Sequence, residues 1–326
     1  MEPKHDVRLQ KSYTPKAQGG VFDSSLSKQP HSKLISPIPS FDNSLFRNEP
    51  AEAFCKLLIF SHYIQHKEDK SISGVLLGEP ETYKTKTIQR FFNLKGIAVE
   101  TDITYMGLIQ HVLPKIENGL VKTIIIPDMV KTIMKKQATM QNLIGILNGL
   151  VEEGVYEICL RDTSDFHGSR ANLITSMTPT LLFQNKLLWN RMGFLSRLLP
   201  FSYSYTEQKS EEILRAIEKG EVLEPQPIQL NLPEFKTIVE LPERIAREVR
   251  PLINRLTETE RARIYNKKNP EDSKLTIKAY GFRHQHQFQS LLRANALSRG
   301  DTEVKEDDLK EIFRIGHWIN YDFNVL

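Results

Sequence analysis

The stretch that decides the fold is Gly78-Glu79-Pro80-Glu81-Thr82-Tyr83-Lys84-Thr85. An apolar run at residues 73–77 precedes it, and Lys86 opens a segment that ends in two phenylalanines. This order predicts a strand, a loop and a helix. The spacing fits the phosphate-binding pattern G-x-x-x-x-G-K-[ST] with one change. Tyr83 stands where that pattern has its second glycine.

The chemistry of this loop suits a triphosphate. Backbone N–H groups that open a helix N-terminus bind anions. In such a loop Lys84 reaches the β- and γ-phosphates, and the Thr85 hydroxyl ligates Mg²⁺. We therefore expect residues 78–86 to bind ATP together with Mg²⁺. The alternative is a Gly-Pro turn followed by a lysine-rich helix start.

The composition is that of an ordinary globular protein. Of 326 residues, enough for two domains, 40% are apolar and 26% are charged. No apolar run approaches the roughly 18 residues of a membrane span, and the first residues lack the apolar core of a signal peptide. Cys55 and Cys159 lie in apolar surroundings, which favours reduced thiols. We expect a cytoplasmic protein without a membrane partner. The net charge of +4 is compatible with a nucleic-acid partner but does not argue for one.

Strands and helices alternate after the loop. Further strands are predicted at residues 96–99, 121–127, 155–160, 171–176 and 201–205, and helices at 51–66, 102–120 and 134–153. This alternation predicts the α/β class with a doubly wound parallel sheet.

The chain divides by composition into four parts. Residues 1–48 lack sustained periodicity and are predicted to be a flexible tail, in which residues 34–38 could form a short docking element. Residues 49–205 form the predicted α/β core. Residues 206–240 form a charged, proline-containing connector with one short helix at 210–218. Residues 241–326 form a predicted small all-helical domain, with helices at 242–265, 282–298 and 305–320.

Asp128 follows the β-branched run of the third predicted strand. Ligands of open α/β sheets bind at the carboxyl ends of the strands, so an acidic residue there can hold Mg²⁺. The alternative is a turn that only ends the strand. With the phosphate loop upstream, Asp128 and Thr85 form the predicted metal site.

Taken together, the order of these parts resembles the AAA+ family of ring-forming ATPases. It is most similar to the ATPase module of the minichromosome maintenance helicases, over roughly residues 50–320. The resemblance implies a nucleotide-binding core followed by a helical lid. It implies that Thr178 senses the γ-phosphate and that Arg197 reaches the nucleotide of a neighbouring subunit. It further implies that a second sensor lies at His286, with Arg283 as a substitute one turn earlier.

The same resemblance implies a function for the loop at residues 161–170. In this family a hairpin near that position can project into the central pore and contact DNA. Arg161, His167 and Arg170 are then candidate phosphate contacts. The alternative is a solvated hairpin loop.

The sequence also departs from the family at functional positions. Tyr83 replaces a glycine, and Met129 follows Asp128 where the family has the glutamate that activates water. A general base contributes roughly 10²–10⁴ in rate, so its loss predicts weak hydrolysis. Glu81 or Asp102 could stand in for it.

Two functions from different classes follow. The first is an ATP-binding homo-oligomer, a ring or filament, that acts on DNA or on a DNA-bound protein and hydrolyses ATP weakly if at all. The second is a non-catalytic nucleotide-sensing scaffold that uses bound ATP to recruit a partner.

Overall fold

A computed structural model describes residues 47–65, 70–134, 137–158, 164–220, 226–264 and 281–325, with backbone alone at 164–165 and 261–264. The predictions for most of the tail (residues 1–46), for Cys159 and for Arg161 lie outside the described residues.

The secondary structure alternates through the first two thirds of the described chain. Its strands are β1 (Ile64–Gln65), β2 (Ser73–Leu77), β3 (Ile97–Val99), β4 (Thr123–Ile126), β5 (Val155–Ile158), β6 (Ser164–Ser169), β7 (Asn172–Met177), β8 (Leu198–Ser204), β9 (Thr237–Ile238) and β10 (Asn324–Val325). Its α-helices are α1 (Glu49–Ser61), α2 (Lys84–Gln89), α3 (Tyr105–Gly107), α4 (Leu113–Glu117), α5 (Val130–Ile133), α6 (Gln137–Asn148), α7 (Pro179–Arg191), α8 (Glu207–Glu218), α9 (Glu243–Glu248), α10 (Arg250–Ile264), α11 (Phe282–Ser298) and α12 (Glu306–Gly316). Two π-helical turns, Leu108–Val112 and Gly149–Glu153, follow α3 and α6.

Six parallel strands form the central sheet in the order β10-β8-β2-β7-β4-β3. Helices flank this sheet, so the predicted α/β class with a mainly parallel sheet is confirmed. The strand β2 lies between β7 and β8, which come about 100 residues later in the chain. Because the strands are parallel, the segments that follow β2, β7 and β4 all emerge at one edge, called the carboxyl edge below.

The first helix, α1, packs between the sheet and the C-terminal helices. Phe54 and Leu58 of α1 are fully buried against β2 at Gly74, where the absence of a side chain leaves them room. The same helix packs against α11 and α12. Arg314 of α12 donates hydrogen bonds of 2.6 and 2.9 Å to the two carboxylate oxygens of Glu49.

The observed elements differ from the predicted ones in several places, of which three change the architecture. Residues 164–169, predicted as loop, form β6, which pairs antiparallel with β5 outside the central sheet. The predicted helix 242–265 is two helices, because Pro251 lacks an N–H and suits only the first turn of a helix. The C-terminal part is not all-helical, since β10 returns to the sheet beside β8.

The remaining boundaries shift by a few residues or change helix type. Within the predicted helix 102–120 the chain changes from π- to α-helix, with Pro114 in the first turn of α4. No helix among the described residues is both long enough and apolar enough to span a membrane.

Candidate functional site

The loop between β2 and α2 closes around the side chain of Lys84. Its Nζ donates to the carbonyl oxygen of Glu79 at 2.5 Å and to Thr82 Oγ1 at 3.2 Å. The Thr82 hydroxyl donates to the same carbonyl at 2.7 Å. Lys84 is 8% exposed. Burial lowers the pKa of Lys84 to about 8, although the negative charges of Asp128 and Glu79 act in the opposite direction. The ammonium group is thus held inside the loop.

Gly78 begins the loop with its backbone close to neighbouring atoms. A Cβ at this position would lie 2.8 Å from Thr82 Oγ1 and 3.3 Å from the Tyr203 carbonyl oxygen. Only glycine therefore allows the loop to fold back on itself here. The small size of Gly78 thus serves the packing of the loop against Thr82 and Tyr203.

Tyr83 adopts the conformation that the missing glycine would supply. Its φ is 57° and its ψ is 17°, and Glu81 also has a positive φ of 66°. A left-handed backbone costs a non-glycine residue roughly 1–2 kcal/mol. The ring of Tyr83 packs with Tyr205 against Ile213 and Ala216 of α8. The aromatic side chain therefore lies against a helix, while Lys84 occupies the inside of the loop.

We expect Tyr83→Gly to be more stable than Tyr83→Ala by about 1 kcal/mol. Both variants lose the ring, but only glycine removes the left-handed strain. Urea unfolding of the two variants measures this difference directly. Equal stability, or a more stable alanine variant, would contradict the left-handed conformation of Tyr83.

Two tyrosines, Tyr203 in β8 and Tyr205 directly after it, fix the orientation of the loop. The hydroxyls of Tyr203 and Tyr205 donate to the carbonyl oxygen of Thr82 at 2.8 and 3.1 Å. In a planar trans peptide the carbonyl and the next N–H point in opposite directions. The Tyr83 N–H therefore points away from the tyrosine hydroxyls. Sequence reasoning placed these tyrosines in a strand but missed this contact, although their spacing of two puts them on one face.

Asp128 and Thr178 lie at the same edge of the sheet as the loop. One Asp128 oxygen accepts from the Val130 N–H at 2.9 Å, and the other accepts no hydrogen bond from the described residues. Asp128 is exposed, and its charge acts on Lys84. The Thr178 hydroxyl caps α7 by accepting from Leu181 N–H at 3.3 Å. Asp128 and Thr178 therefore lie at the carboxyl edge, as the sequence predicts.

The protein ligands for a metal are few at this edge. No three His, Cys, Asp or Glu side chains come together as a metal site in the part of the chain that the structure describes. Thr85 is exposed in the first turn of α2, at the same edge as Asp128. Mg²⁺ commonly takes one or two protein oxygens and completes its shell with phosphates and water. Asp128 and Thr85 fit that mode rather than an all-protein site.

Met129 is fully buried in the core. Its thioether is not a base, so it cannot take the role of the missing glutamate. Glu81 is exposed in the loop, and Asp102 is exposed beyond β3. Both belong to the carboxyl edge, but neither contacts Lys84 or Asp128 in the described hydrogen bonds. The predicted substitute base remains a prediction.

Arg197, Arg283 and His286 lie at the opposite edge of the sheet. Arg197 directly precedes β8, and its neighbour Leu198 pairs with Ser73 at the start of β2. The five residues of β2 separate this position from the loop by roughly 15 Å. Within one chain, these three side chains are therefore not brought to the loop around Lys84.

At that amino edge the two arginines converge on Glu152. Arg283 Nη2 donates to both Glu152 oxygens at 2.9 and 3.0 Å, and Arg197 Nε lies 2.6 Å from Oε2. Lys70 Nζ adds a contact at 3.4 Å. Burial would raise the pKa of the Glu152 carboxyl, but Arg283 and Arg197 hold that pKa below its ordinary value. The sequence alone does not identify Glu152, because no local pattern indicates that it pairs with Arg197 and Arg283, 45 and 131 residues away.

The hairpin residues have structural contacts of their own. His167 is exposed, with its Nδ1 2.9 Å from a Glu117 oxygen. Arg170 donates to the Glu153 carbonyl at 3.1 Å. These contacts neither require nor exclude nucleic acid, and the DNA-contact prediction stays a prediction.

Comparison with known proteins gives no further identification. No protein-family model matches the chain, and no curated protein sequence matches it.

Proposed function

We propose that this chain binds ATP and Mg²⁺ at the loop formed by residues 78–86. The observation that carries the proposal is the burial of Lys84 inside a loop at the carboxyl edge, with Asp128 and Thr178 at the same edge. An ammonium group surrounded by carbonyl and hydroxyl oxygens occupies the kind of position from which it can turn to phosphate oxygens.

Each residue has a role that its position supports. Lys84 binds phosphate oxygens, and the loop amides stabilise the same charge. Tyr203 and Tyr205 hold the Thr82 carbonyl, which orients the next peptide group. Asp128 and Thr85 would hold Mg²⁺, which neutralises phosphate charge when bound.

We further propose that the protein forms a homo-oligomeric ring or filament. Arg197 lies at the amino edge, too far from Lys84 to share one nucleotide within a chain. If it contacts nucleotide, it does so in a neighbouring copy, and Arg283 and His286 would act from the same side. This placement supports the AAA+ resemblance, from which action on DNA or a nucleoprotein complex and a cytoplasmic location are inferred.

A second candidate function rests on Met129. A methionine, fully buried in the core, stands at the position where the resemblance expects the carboxylate base. The chain would then be a nucleotide-sensing scaffold that binds ATP without productive hydrolysis and recruits a partner in the bound state. Phosphate release measured in the presence of ATP·Mg²⁺ separates the two candidates.

The pH dependence of ATP·Mg²⁺ binding tests the proposed site. In the free protein the pKa of Lys84 is about 8, below its ordinary value, while bound phosphate favours the charged amine. Affinity is therefore full below pH 8 and falls as pH rises above it. We expect the dissociation constant to increase about tenfold between about pH 7 and pH 9. Thermal stability measured during an ATP·Mg²⁺ titration gives the constant.

Lys84→Arg is the matched control, because a guanidinium stays charged throughout this range. Its affinity should not change with pH. The free wild-type protein should also gain stability from about pH 8 towards the ordinary lysine pKa, since the unfolded chain there binds more protons. Absence of any stabilisation by ATP·Mg²⁺ at pH 7 would overturn the proposed function.

A further inference from the structure

A cavity separate from the loop around Lys84 opens at the amino edge of the sheet. Its volume is about 290 Å³, at the lower end of the range for small-molecule sites. It lies between the N-terminal half of α11, the segment that enters β2, and the end of the π-helical turn after α6. The N-terminal residues of α11, beginning with Phe282, form one wall.

The cavity combines apolar walls with an excess of positive charge. Ile64, Ile72 and Val151 line it together with Phe282, which is 74% exposed. Four Lys and Arg side chains line it together with one carboxylate, that of Glu152; these cations are Lys70, Arg197, Arg283 and Arg293. Outside the lining, Glu153 also pairs with Arg197 at 2.7 Å. Sites that bind small molecules have this composition, an apolar surface with a few convergent polar groups.

The cationic side chains that line this cavity differ in whether a carboxylate pairs with them. Both oxygens of Glu152 are occupied by Arg197 and Arg283, and its contact to Lys70 is longer. Arg293 has no carboxylate within ion-pair distance among the described residues. Its hydrogen bond runs from Nε to the carbonyl of Val239 at 3.1 Å, which leaves the outer guanidinium nitrogens available.

Arg293 is also partly withdrawn from water. Burial lowers the pKa of its guanidinium, and no neighbouring carboxylate acts in the opposite direction. A desolvated cation without a counter-charge is unfavourable unless an anion pairs with it. The Val239 contact holds Arg293 beside the β1–β9 pair, and Arg293 lines the same cavity as Ile64 of β1.

We propose that this cavity binds a small organic anion, with its acid group on Arg293 and its apolar body against Ile64 and Ile72. The ligand class is a carboxylate or phosphate monoester attached to an apolar group. Arg197 and Arg283 serve this site by holding Glu152 away from Arg293. The cavity is separate from the loop around Lys84 in the same chain, and the proposal does not rest on ATP binding there.

Phenyl phosphate is the probe, with inorganic phosphate as the comparison without an apolar body. Binding to the full chain is followed by NMR of isoleucine methyl groups. We expect saturable shifts at Ile64 and Ile72, and an affinity at least about tenfold higher than that of inorganic phosphate. Arg293→Gln should weaken phenyl phosphate binding by about tenfold or more, because a charged hydrogen bond is lost.

Three variants make the test specific. Arg215→Gln, an exposed position on α8, should bind phenyl phosphate as the wild type does. Lys84→Met should also leave the Ile64 and Ile72 shifts unchanged, which separates this site from the loop. Ser290→Leu fills the cavity without changing its charge and should abolish binding. It keeps the proposal testable if Arg293→Gln does not fold.

The proposal is overturned by any of three results. The first is the absence of saturable shifts at Ile64 and Ile72 with millimolar phenyl phosphate. The second is unchanged affinity in folded Arg293→Gln or in Ser290→Leu. The third is loss of the shifts in Lys84→Met, which would place the ligand at the loop. None of these results bears on whether ATP·Mg²⁺ binds the wild-type protein.

Discussion

Replacing Lys84 by Met is expected to weaken ATP·Mg²⁺ binding by about 100-fold or more. The ammonium group lies inside the loop and is the only side-chain cation of residues 78–85, so its loss removes charge-assisted hydrogen bonds to phosphate. Such bonds contribute about 1.5–3 kcal/mol each, and two of them account for this factor. Isothermal titration calorimetry at pH 7 measures the two affinities.

Lys86→Met provides the control within the same helix. Lys86 ends the proposed binding segment, but its side chain is exposed two residues further along α2. Its replacement therefore removes the same charge while leaving the backbone N–H groups of the segment in place. We expect its affinity to stay within about threefold of the wild type, as for other exposed charges. Equal losses in the two variants would mean that only general electrostatic attraction is measured. Unchanged binding in Lys84→Met would place the nucleotide elsewhere.

Gly74→Val is expected to destabilise the protein by about 3 kcal/mol. A Cβ at Gly74 would lie 2.8 Å from Phe54 Cζ and also too close to Leu58, and both side chains are fully buried in α1. The core can admit the new atoms only by moving α1 away from β2. Because β2 leads directly into the loop proposed to bind ATP, such a shift should also weaken ATP·Mg²⁺ binding. Urea unfolding measures the loss of stability.

Gly145→Val is the same substitution at a position with open space. Gly145 lies on the exposed face of α6, and a Cβ there meets no atom within 4 Å. Valine and glycine differ little in helix propensity, so the change should stay within about 0.5 kcal/mol. Similar destabilisation in the two variants would show that lost glycine flexibility, rather than the contact with α1, decides the outcome.

The carboxyl edge was predictable because its signals are local. A strand, a loop with Lys84, and a later strand ending in Asp128 can each be recognised within about ten residues. Parallel topology then brings their ends together without further information. The structure agrees with this part of the prediction in strand, loop and helix.

The amino edge could not be predicted in the same way. Arg283 was expected to bind nucleotide, and its pairing with Glu152 joins residues 131 positions apart. No sequence period encodes such a pair, because it depends on how α11 packs against the sheet. The direction of the Tyr83 ring was equally inaccessible, since it depends on α8, a helix more than 120 residues later.

Short strands were also beyond sequence reasoning. Two-residue strands such as β10 carry no alternation, and their position is decided by the backbone of the neighbouring strand. The strand β6 contains turn-forming residues and exists because β5 offers a partner.

The returning C-terminal strand has a consequence for self-association. Asn324 and Val325 pair with Tyr203 and Ser204, so the chain itself covers part of the last long strand. At the other side of the sheet, β3 has only three residues. Short or covered border strands are poor templates for amyloid-like stacking and strand exchange between molecules. Copies of this protein that assemble should therefore contact one another through side chains rather than through shared β-sheet hydrogen bonds. Such an assembly can dissociate without unfolding of any subunit.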